Sequence, residues 1–342
     1  MKKTSQVTLE DVAKLAQVSR ATVSRVINAP DKVSADIVAR TNQAIRDLRY
    51  APNRHARALS LGKLRTVGLV FFEDIRTLFS NPFWGEVLNP VYENLALHNL
   101  SCNLIACGTF SSEPHEEVQA LYENFVTQGS ADGYIFFGQY PEEIERRFGM
   151  AHLPIVIFGK PYFNNSEFSY VDTDNISGAA EAVRFLVSTG RKRIATITGP
   201  VESGAGFDRF LGYKNGLIES RVKFDPKLVV HGDWTKESAM RGMKSLLSNE
   251  RKIDAVFVAS DLMAAGAMEV ILDANLKIPK DVAIIGFDNS SLCELTRPKL
   301  TSVGQPFVEI GKELVTAVIK SIDGVSHQSR ILGAEIIERE SS

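Results

Sequence analysis

Between Val7 and Ala51 the apolar positions recur at three- and four-residue intervals, and polar cap residues divide them into three short helices. Thr8 can cap the first, with Asp11 three residues on as the reciprocal partner, and Val12, Leu15 and Ala16 share one face. Gln17-Val18 makes a short connection. Ser19 caps a second helix whose Val23, Val26 and Ile27 point inward, and Asn28-Ala29-Pro30 stops it. Ser34 caps a third, with Ile37, Val38, Thr41, Ile45 and Leu48 at core spacing. Two short helices joined by a tight turn and braced by a third predict a helix-turn-helix unit.

After Pro52, Asn53 can cap one more short helix, Arg54 to Leu61, closed by Gly62. It is about two turns long and marginal by itself. From Thr66 the period changes. Short apolar runs (TVGLVFF, SCNLIACG, ADGYIFFG, PIVIF) alternate with helical stretches. A second series opens near FSYVDTD and continues through RIATITG, KLVVHG, DAVFVAS and VAIIGFD. LTSVGQPFVEIGKELVTAVIKSIDG reads as a strand and a helix, and AEIIERE as a final strand. The alternation predicts an α/β body of two doubly wound parallel sheets behind an all-α head.

Charge sharpens this division. Residues 1–65 hold 13 Lys and Arg against 5 Asp and Glu, a net +8, while the remainder carries −10, which together give the overall −2. A basic, helically patterned head on an acidic body places a polyanion-binding surface at the N-terminus. No apolar run approaches the roughly 18 residues of a membrane span, and MKKTSQVTLEDVAK has no apolar core of a secretory signal. The expectation is a cytoplasmic protein without membrane attachment. Cys102, Cys107 and Cys293 lack metal-ligand spacing and read as buried thiols of a reducing compartment. No metal or cofactor is expected.

The second helix is the element suited to the DNA major groove. Its exposed N-terminal positions are Arg20, Ala21 and Arg25. An arginine can grip guanine O6 and N7 with two bonds, and an alanine offers a contact to a thymine methyl. Ser19, Thr22, Ser24 and Ser34 are short donors suited to phosphate oxygens. In the body, ligands of open α/β sheets bind beyond the C-terminal ends of strands. That rule selects EDIRTLFSNPFW, PVESGAGFDRFLGY, DLMAAG and DNSS. Phe72, Phe79, Phe83 and Trp84 flank the first and could form an aromatic wall, although Phe83 and Trp84 could equally be core residues.

TLEDVAKLAQVSRATVSRVIN, the following VS and the RYAPNRHARAL stretch resemble the lactose-repressor (LacI/GalR) family of bacterial transcription regulators, and the similarity extends over nearly the whole chain. The resemblance implies a DNA-binding domain over 1–51, a hinge over 52–63 and an effector-binding, dimerising body over 64–342, built like sugar-binding proteins. It implies three crossings between lobes, placed near 161–166, 289–292 and 322–326. The first lobe then comprises about 64–163 and 291–323, the second 164–290 and 324–342. Paired hinge helices would press Leu59 between base steps. Thr8, Asn28, Asn53, Arg54 and Arg57 complete the expected DNA-contact set. In the body, Arg209 of FDRFLGY and Asp288 of GFDN match the family's effector-binding arginine and aspartate. Trp234 of HGDWTKES matches an aromatic that packs on a sugar face in some members. Asp261 falls where the family often has Asn-Asp; here Ser260 precedes it, and helix capping competes with ligand contact. With Phe72 and Phe83 these residues make up the expected effector site.

The implied function is a dimeric repressor of carbohydrate-utilisation genes that binds double-stranded operator DNA and is released by a sugar. A corepressor logic, with a purine or a phosphoprotein, is the alternative. An enzyme has little to stand on: the chain has no GxSxG elbow or Walker loop, and His115-Glu116-Glu117 is not HExxH. An exported sugar-binding protein fits the body and not the basic head.

Overall fold

The computed structural model describes residues 7–28, 30–50, 64–108, 115–162, 168–248 and 252–342. The chain separates into two units, Met1–Leu64 and Arg65–Ser342.

The first unit contains α1 (Leu9–Ala16), α2 (Arg20–Asn28) and α3 (Ala35–Asp47). Thr8 and Asp11 form the reciprocal capping box: the Asp11 amide donates to the Thr8 hydroxyl (3.3 Å) and the Thr8 amide to the Asp11 carboxylate (2.9 Å). Gln17 turns the chain in the left-handed region, φ 53°. Val12, Ala13, Ala16, Val23 and Ala44 form the core, with Ile27, Ile45 and Leu48 packed on it. Leu15, expected inward, is 51% exposed. The buried arc of α1 centres on Val12, Ala13 and Ala16, and Leu15 falls outside it.

The second unit holds two sheets. The first contains β1 (Thr66–Phe71), β2 (Ser101–Ala106), β3 (Gly133–Phe137), β4 (Ile155–Phe158), β5 (Ser169–Thr173) and β11 (Arg330–Leu332), in the order β11-β5-β4-β3-β1-β2. The second contains β6 (Ile194–Thr198), β7 (Val229–His231), β8 (Ala255–Val258), β9 (Ala283–Asp288), β10 (Thr301–Gly304) and β12 (Glu335–Ile337), in the order β12-β10-β9-β8-β6-β7. Central strands such as β3 and β9 are buried along their whole length, as helices on both faces require. The first lobe carries α4 (Ile75–Ser80), α5 (Pro82–Leu97), α6 (His115–Gln128), α7 (Glu142–Met150) and α13 (Phe307–Ile322). Its largest apolar cluster joins Val87, Val91 and Leu95 of α5 to Ile310, Leu314 and Val318 of α13. The second lobe carries α8 (Asn175–Ser188), α9 (Gly204–Glu219), α10 (Lys236–Ser248), α11 (Asp261–Asp273) and the one-turn α12 (Leu292–Leu295).

All three crossings fall later than expected. β5 pairs with β4 (Val156 with Ser169, Phe158 with Val171), so the first lobe runs through Thr173 rather than ending near 163. β10 pairs with β9 in the second sheet, so the second crossing is at Gln305-Pro306 and not at 289–292. β11 lies beside β5, and the third crossing is at Gly333-Ala334 rather than 322–326. FSYVDTD looks like the first strand of a new βα series, but edge pairing, not local pattern, decides which sheet takes it. The crossings are tied to one another: the Asp174 amide donates to the Leu332 carbonyl (2.7 Å), and the Thr173 hydroxyl to the Gln305 side-chain oxygen (2.7 Å). Of the cysteines, Cys293 is buried as expected, whereas Cys102 and Cys107 are partly exposed.

Candidate functional sites: a basic helix face and a cleft between lobes

On the first unit, burial of Val23 and Val26 turns the opposite face of α2 outward, and Arg20, Ala21 and Arg25 are exposed there. Arg20 pairs with Glu10 of α1 (3.1 Å) with both side chains largely in solvent, a weak link that a stronger anion can displace. The Ser19 hydroxyl accepts from the Thr22 amide (3.0 Å) and lies 2.9 Å from the Thr22 hydroxyl, so capping occupies both. Ser24 is half-buried. Ser34 stands at the N-cap of α3, exposed and without the expected side-chain cap bond. Asn28 closes α2. Asn53, Arg54, Arg57, Leu59 and the expected hinge helix lie outside the described residues.

In the second unit, a cavity of about 480 Å³ opens at the C-terminal ends of both sheets. That volume is within the range of small-molecule sites. Its floor comes from the second lobe and the crossings. Arg209, on the first turns of α9, is 4% exposed. Its Nε donates to the Asn175 side-chain oxygen (2.8 Å), and its Nη1 to the Ala259 carbonyl (2.6 Å) and to Asp288 (3.1 Å). The guanidinium lies on the Phe287 ring at 3.7 Å and reaches Trp234 at 5.6 Å. Asp288 also accepts from the Gln305 amide nitrogen (2.8 Å). Burial raises the Asp288 pKa and lowers that of Arg209, and each charge opposes the other's shift. Asp172, at the end of β5, accepts from the Lys160 amide (2.9 Å) and the Thr173 amide (2.7 Å); burial still pushes its pKa up to about 6.

Two floor residues stand in backbone conformations that side chains rarely adopt, Trp234 at φ 69° and Asp288 at φ 116°. Such strain, of order 1–3 kcal/mol each, concentrates at ligand sites. The six-membered ring of Trp234 lies against Gly199, where a Cβ would come within 2.3 Å of it. The opposite wall belongs to the first lobe: Phe83, Trp84, Ile157, Phe158 and Glu73. Phe83 packs edge-on against Trp84 (5.1 Å between ring centres) and Phe307 (5.8 Å).

The structure therefore brings together Arg209, Asp288, Trp234 and Phe83 of the expected effector set, with Trp84 beside them. It leaves out two members. Phe72 is 2% exposed and packs on Phe136 and Tyr140 on the other side of the sheet, because neighbours in an extended segment point to opposite faces. Asp261 does not line the cavity. Its carboxylate accepts from the Ser290 amide (2.6 Å), the Ser290 hydroxyl (3.0 Å) and the Ser302 hydroxyl (2.5 Å), bracing the loop after β9. Burial, then the Asp288 charge, pushes its pKa up to about 7. Phe79, also considered for the wall, is 76% exposed.

Asp172, Asn175 and Gln305 went unread as site residues. The strand-end rule would have found Asp172 and Gln305 had β5 and β10 been assigned as the last strands before a crossing. Among the described residues no group of His, Cys, Asp and Glu is arranged to hold a metal, and no helix is long and apolar enough to cross a membrane.

Comparison with known proteins finds relatives for both units. Residues 8–53 match the lacI family of bacterial regulatory proteins, and residues 183–342 the periplasmic binding protein-like domain. The chain is 35% identical over 345 residues to the HTH-type transcriptional regulator CelR of Thermobifida fusca, covering 100% of both. It is 32% identical to the transcriptional repressor CytR of Escherichia coli K12, covering 100% of this chain and 98% of that one. Among solved structures, the CelR–cellobiose complex superposes with a TM-score of 0.76 over 98% of this chain and 100% of that one, at 35% identity. The lac repressor dimer bound to operator and the anti-inducer ONPF, 24% identical, shares the fold with a TM-score of 0.85 over 98% of each chain. The chain is thus a DNA-binding transcriptional regulator of a family that is not one of enzymes, and it belongs to the lacI family of bacterial regulatory proteins.

Proposed function

We propose that this regulator is a cytoplasmic homodimeric repressor of carbohydrate-utilisation genes, and that a neutral sugar entering the cleft releases it from its operator. The observation that carries this reading is the cavity's make-up: a fixed floor of Arg209, Asp288 and Gln305 with Trp234 beside them, facing aromatic surface from Phe83 and Trp84. Sugar hydroxyls need paired donors and acceptors, and sugar C–H faces pack on aromatic rings. The relative that shares 35% identity was solved with cellobiose, which favours a disaccharide.

Each protomer reads one half-site with Arg20, Ala21 and Arg25, while Thr8, Ser19, Thr22, Ser24, Asn28 and Ser34 position the backbone. Paired hinge segments place Asn53, Arg54 and Arg57 near phosphates and wedge Leu59 into the centre. The sugar acts through a difference in affinity between two lobe arrangements, since equal affinity shifts nothing. The test is selection of duplexes from a random pool by the full chain, followed by release assays with mono- and disaccharides, glycosides and purines. A palindromic consensus released by a sugar is the expected result. Enrichment without a palindrome sinks the dimeric half-site reading, and tightening by a purine reverses the effector logic.

A further inference from the structure

We propose that Glu73 sets the charge class of the ligand: its carboxylate accepts hydroxyl or ammonium hydrogens from a neutral or amino sugar and turns away sugars that carry phosphate or carboxylate. This rests on reading the cleft as a sugar site.

Glu73 follows β1 and lines the cavity on the first-lobe side, its Cγ close over Gly138, where a Cβ would stand 3.5 Å away. Among the described residues its carboxylate has no hydrogen-bond or ion-pair partner, and burial alone raises its pKa, with no cation to offset it. The other charges around the cavity are answered. Arg209 is held by Asp288 (3.1 Å), Lys236 by Glu269 (2.5 Å), and Asp233 by Arg241 (3.8 Å) and Thr235. Asp172 accepts two backbone amides. Glu237 is exposed to solvent, and Lys160 is exposed with Asp208 as its charged neighbour.

The cavity therefore offers, among the described residues, one half-buried carboxylate without a protein partner and no buried cation without one. A hydroxyl or ammonium donor brought to Glu73 makes a charge-assisted bond that replaces lost water. A phosphate or uronate brought there meets a like charge at a site already partly stripped of water. The aromatic wall and the Arg209 floor orient a sugar; Glu73 decides which charge on it is tolerated.

The test is titration calorimetry on the full chain and on Glu73→Gln, which keeps the shape and removes the charge. Four disaccharide probes are used: cellobiose, the fully deacetylated glucosamine dimer, cellobiose 6′-phosphate and cellobiuronic acid. The wild-type chain is expected to bind the neutral or amino probe and to discriminate against both acids. In Glu73→Gln the preference for cellobiose over the two acids should fall at least tenfold, and affinity for the amino probe should also fall at least tenfold. The unliganded melting temperature should stay equal or rise, because no native bond is lost. Unchanged ratios with binding intact overturn the role of Glu73 and leave the sugar reading standing, as does a wild-type chain that takes the phosphate as well as cellobiose. A wild-type chain indifferent to all four probes overturns this assignment together with the sugar reading.

Discussion

The two sheets of the body have the same strand order, yet their last strands run in opposite senses: β11 lies parallel to β5, and β12 antiparallel to β10. Both sheets point the C-terminal ends of their parallel strands at the cleft. A chain leaving β11 at the cleft must therefore enter the second sheet from that end and run backwards along β10. A second difference lies in what each lobe contributes to the cleft. The second lobe and the crossings supply a bonded polar floor in which Arg209 makes three hydrogen bonds beyond its own helix and lies against the Phe287 and Trp234 rings. The first lobe supplies aromatic surface and, among the described residues, one carboxylate without a partner. One lobe is preorganised to orient a ligand; the other is left unsatisfied and can choose among ligands.

The contrast breaks most completely at Arg209. Arg209→Ala strands Asp288 without its cation inside the second lobe, which should cost about 3–5 kcal/mol. Denaturant unfolding and ligand calorimetry should show both the loss of stability and the loss of binding. A variant with wild-type stability would mean that the floor is not held by this pair.

Acid pH comes next. Burial raises Asp172 to about 6 and Asp261 to about 7 from the ordinary aspartate value of 3.8. The folded state therefore binds more protons than the unfolded state between those values. The stabilisation these groups provide is full below about 4 and is lost as pH rises through about 6 to 7. Compared with Asp261→Asn, the wild-type chain should lose ground in unfolding midpoint between pH 5 and pH 8. A wild-type advantage that grows over that interval would contradict the assignment.

Gly199→Ala is a smaller disturbance confined to the floor. The new Cβ would stand 2.3 Å from the Trp234 ring, so the ring must move, at a cost of about 1–3 kcal/mol. Tryptophan fluorescence should change, and sugar affinity should drop while DNA binding by the unliganded chain persists. Unchanged fluorescence would show that the backbone at Gly199, and not the Trp234 ring, gives way. Phe83→Ala on the opposite wall should do least, about 1 kcal/mol of binding through lost ring contact, with DNA affinity intact. An effect as large as that of Arg209→Ala would erase the division of labour between the lobes.

Local pattern carried much of this. The capping box at Thr8 and Asp11, the outward Arg20 and Arg25, and the strand runs from TVGLVFF to VAIIGFD are all legible because caps and hydrophobic period act within one or two turns of chain. Arg209, Asp288 and Trp234 were reached through resemblance, not through spacing. Phe72 and Phe83 show the limit: aromatic candidates flanking the same segment look alike in sequence, yet one packs beneath the sheet and the other faces the cleft. Asp261 shows it again, since its helix-start position leaves open whether the carboxylate serves a ligand or a loop. Ser290 and Ser302, 29 and 41 residues away, take it for the loop.

The sequence by itself determined the helical head, its basic face, the alternating α/β body and the polar candidates at the strand ends, because each follows from side chains near one another along the chain. Tertiary structure alone decided where the lobes exchange chain, that Asp172 and Gln305 belong to the floor, and that Glu73 is left unpaired among the described residues. Those features depend on strand edges and charges meeting across more than a hundred residues. Such meetings are set by sheet pairing and burial, which no local window contains.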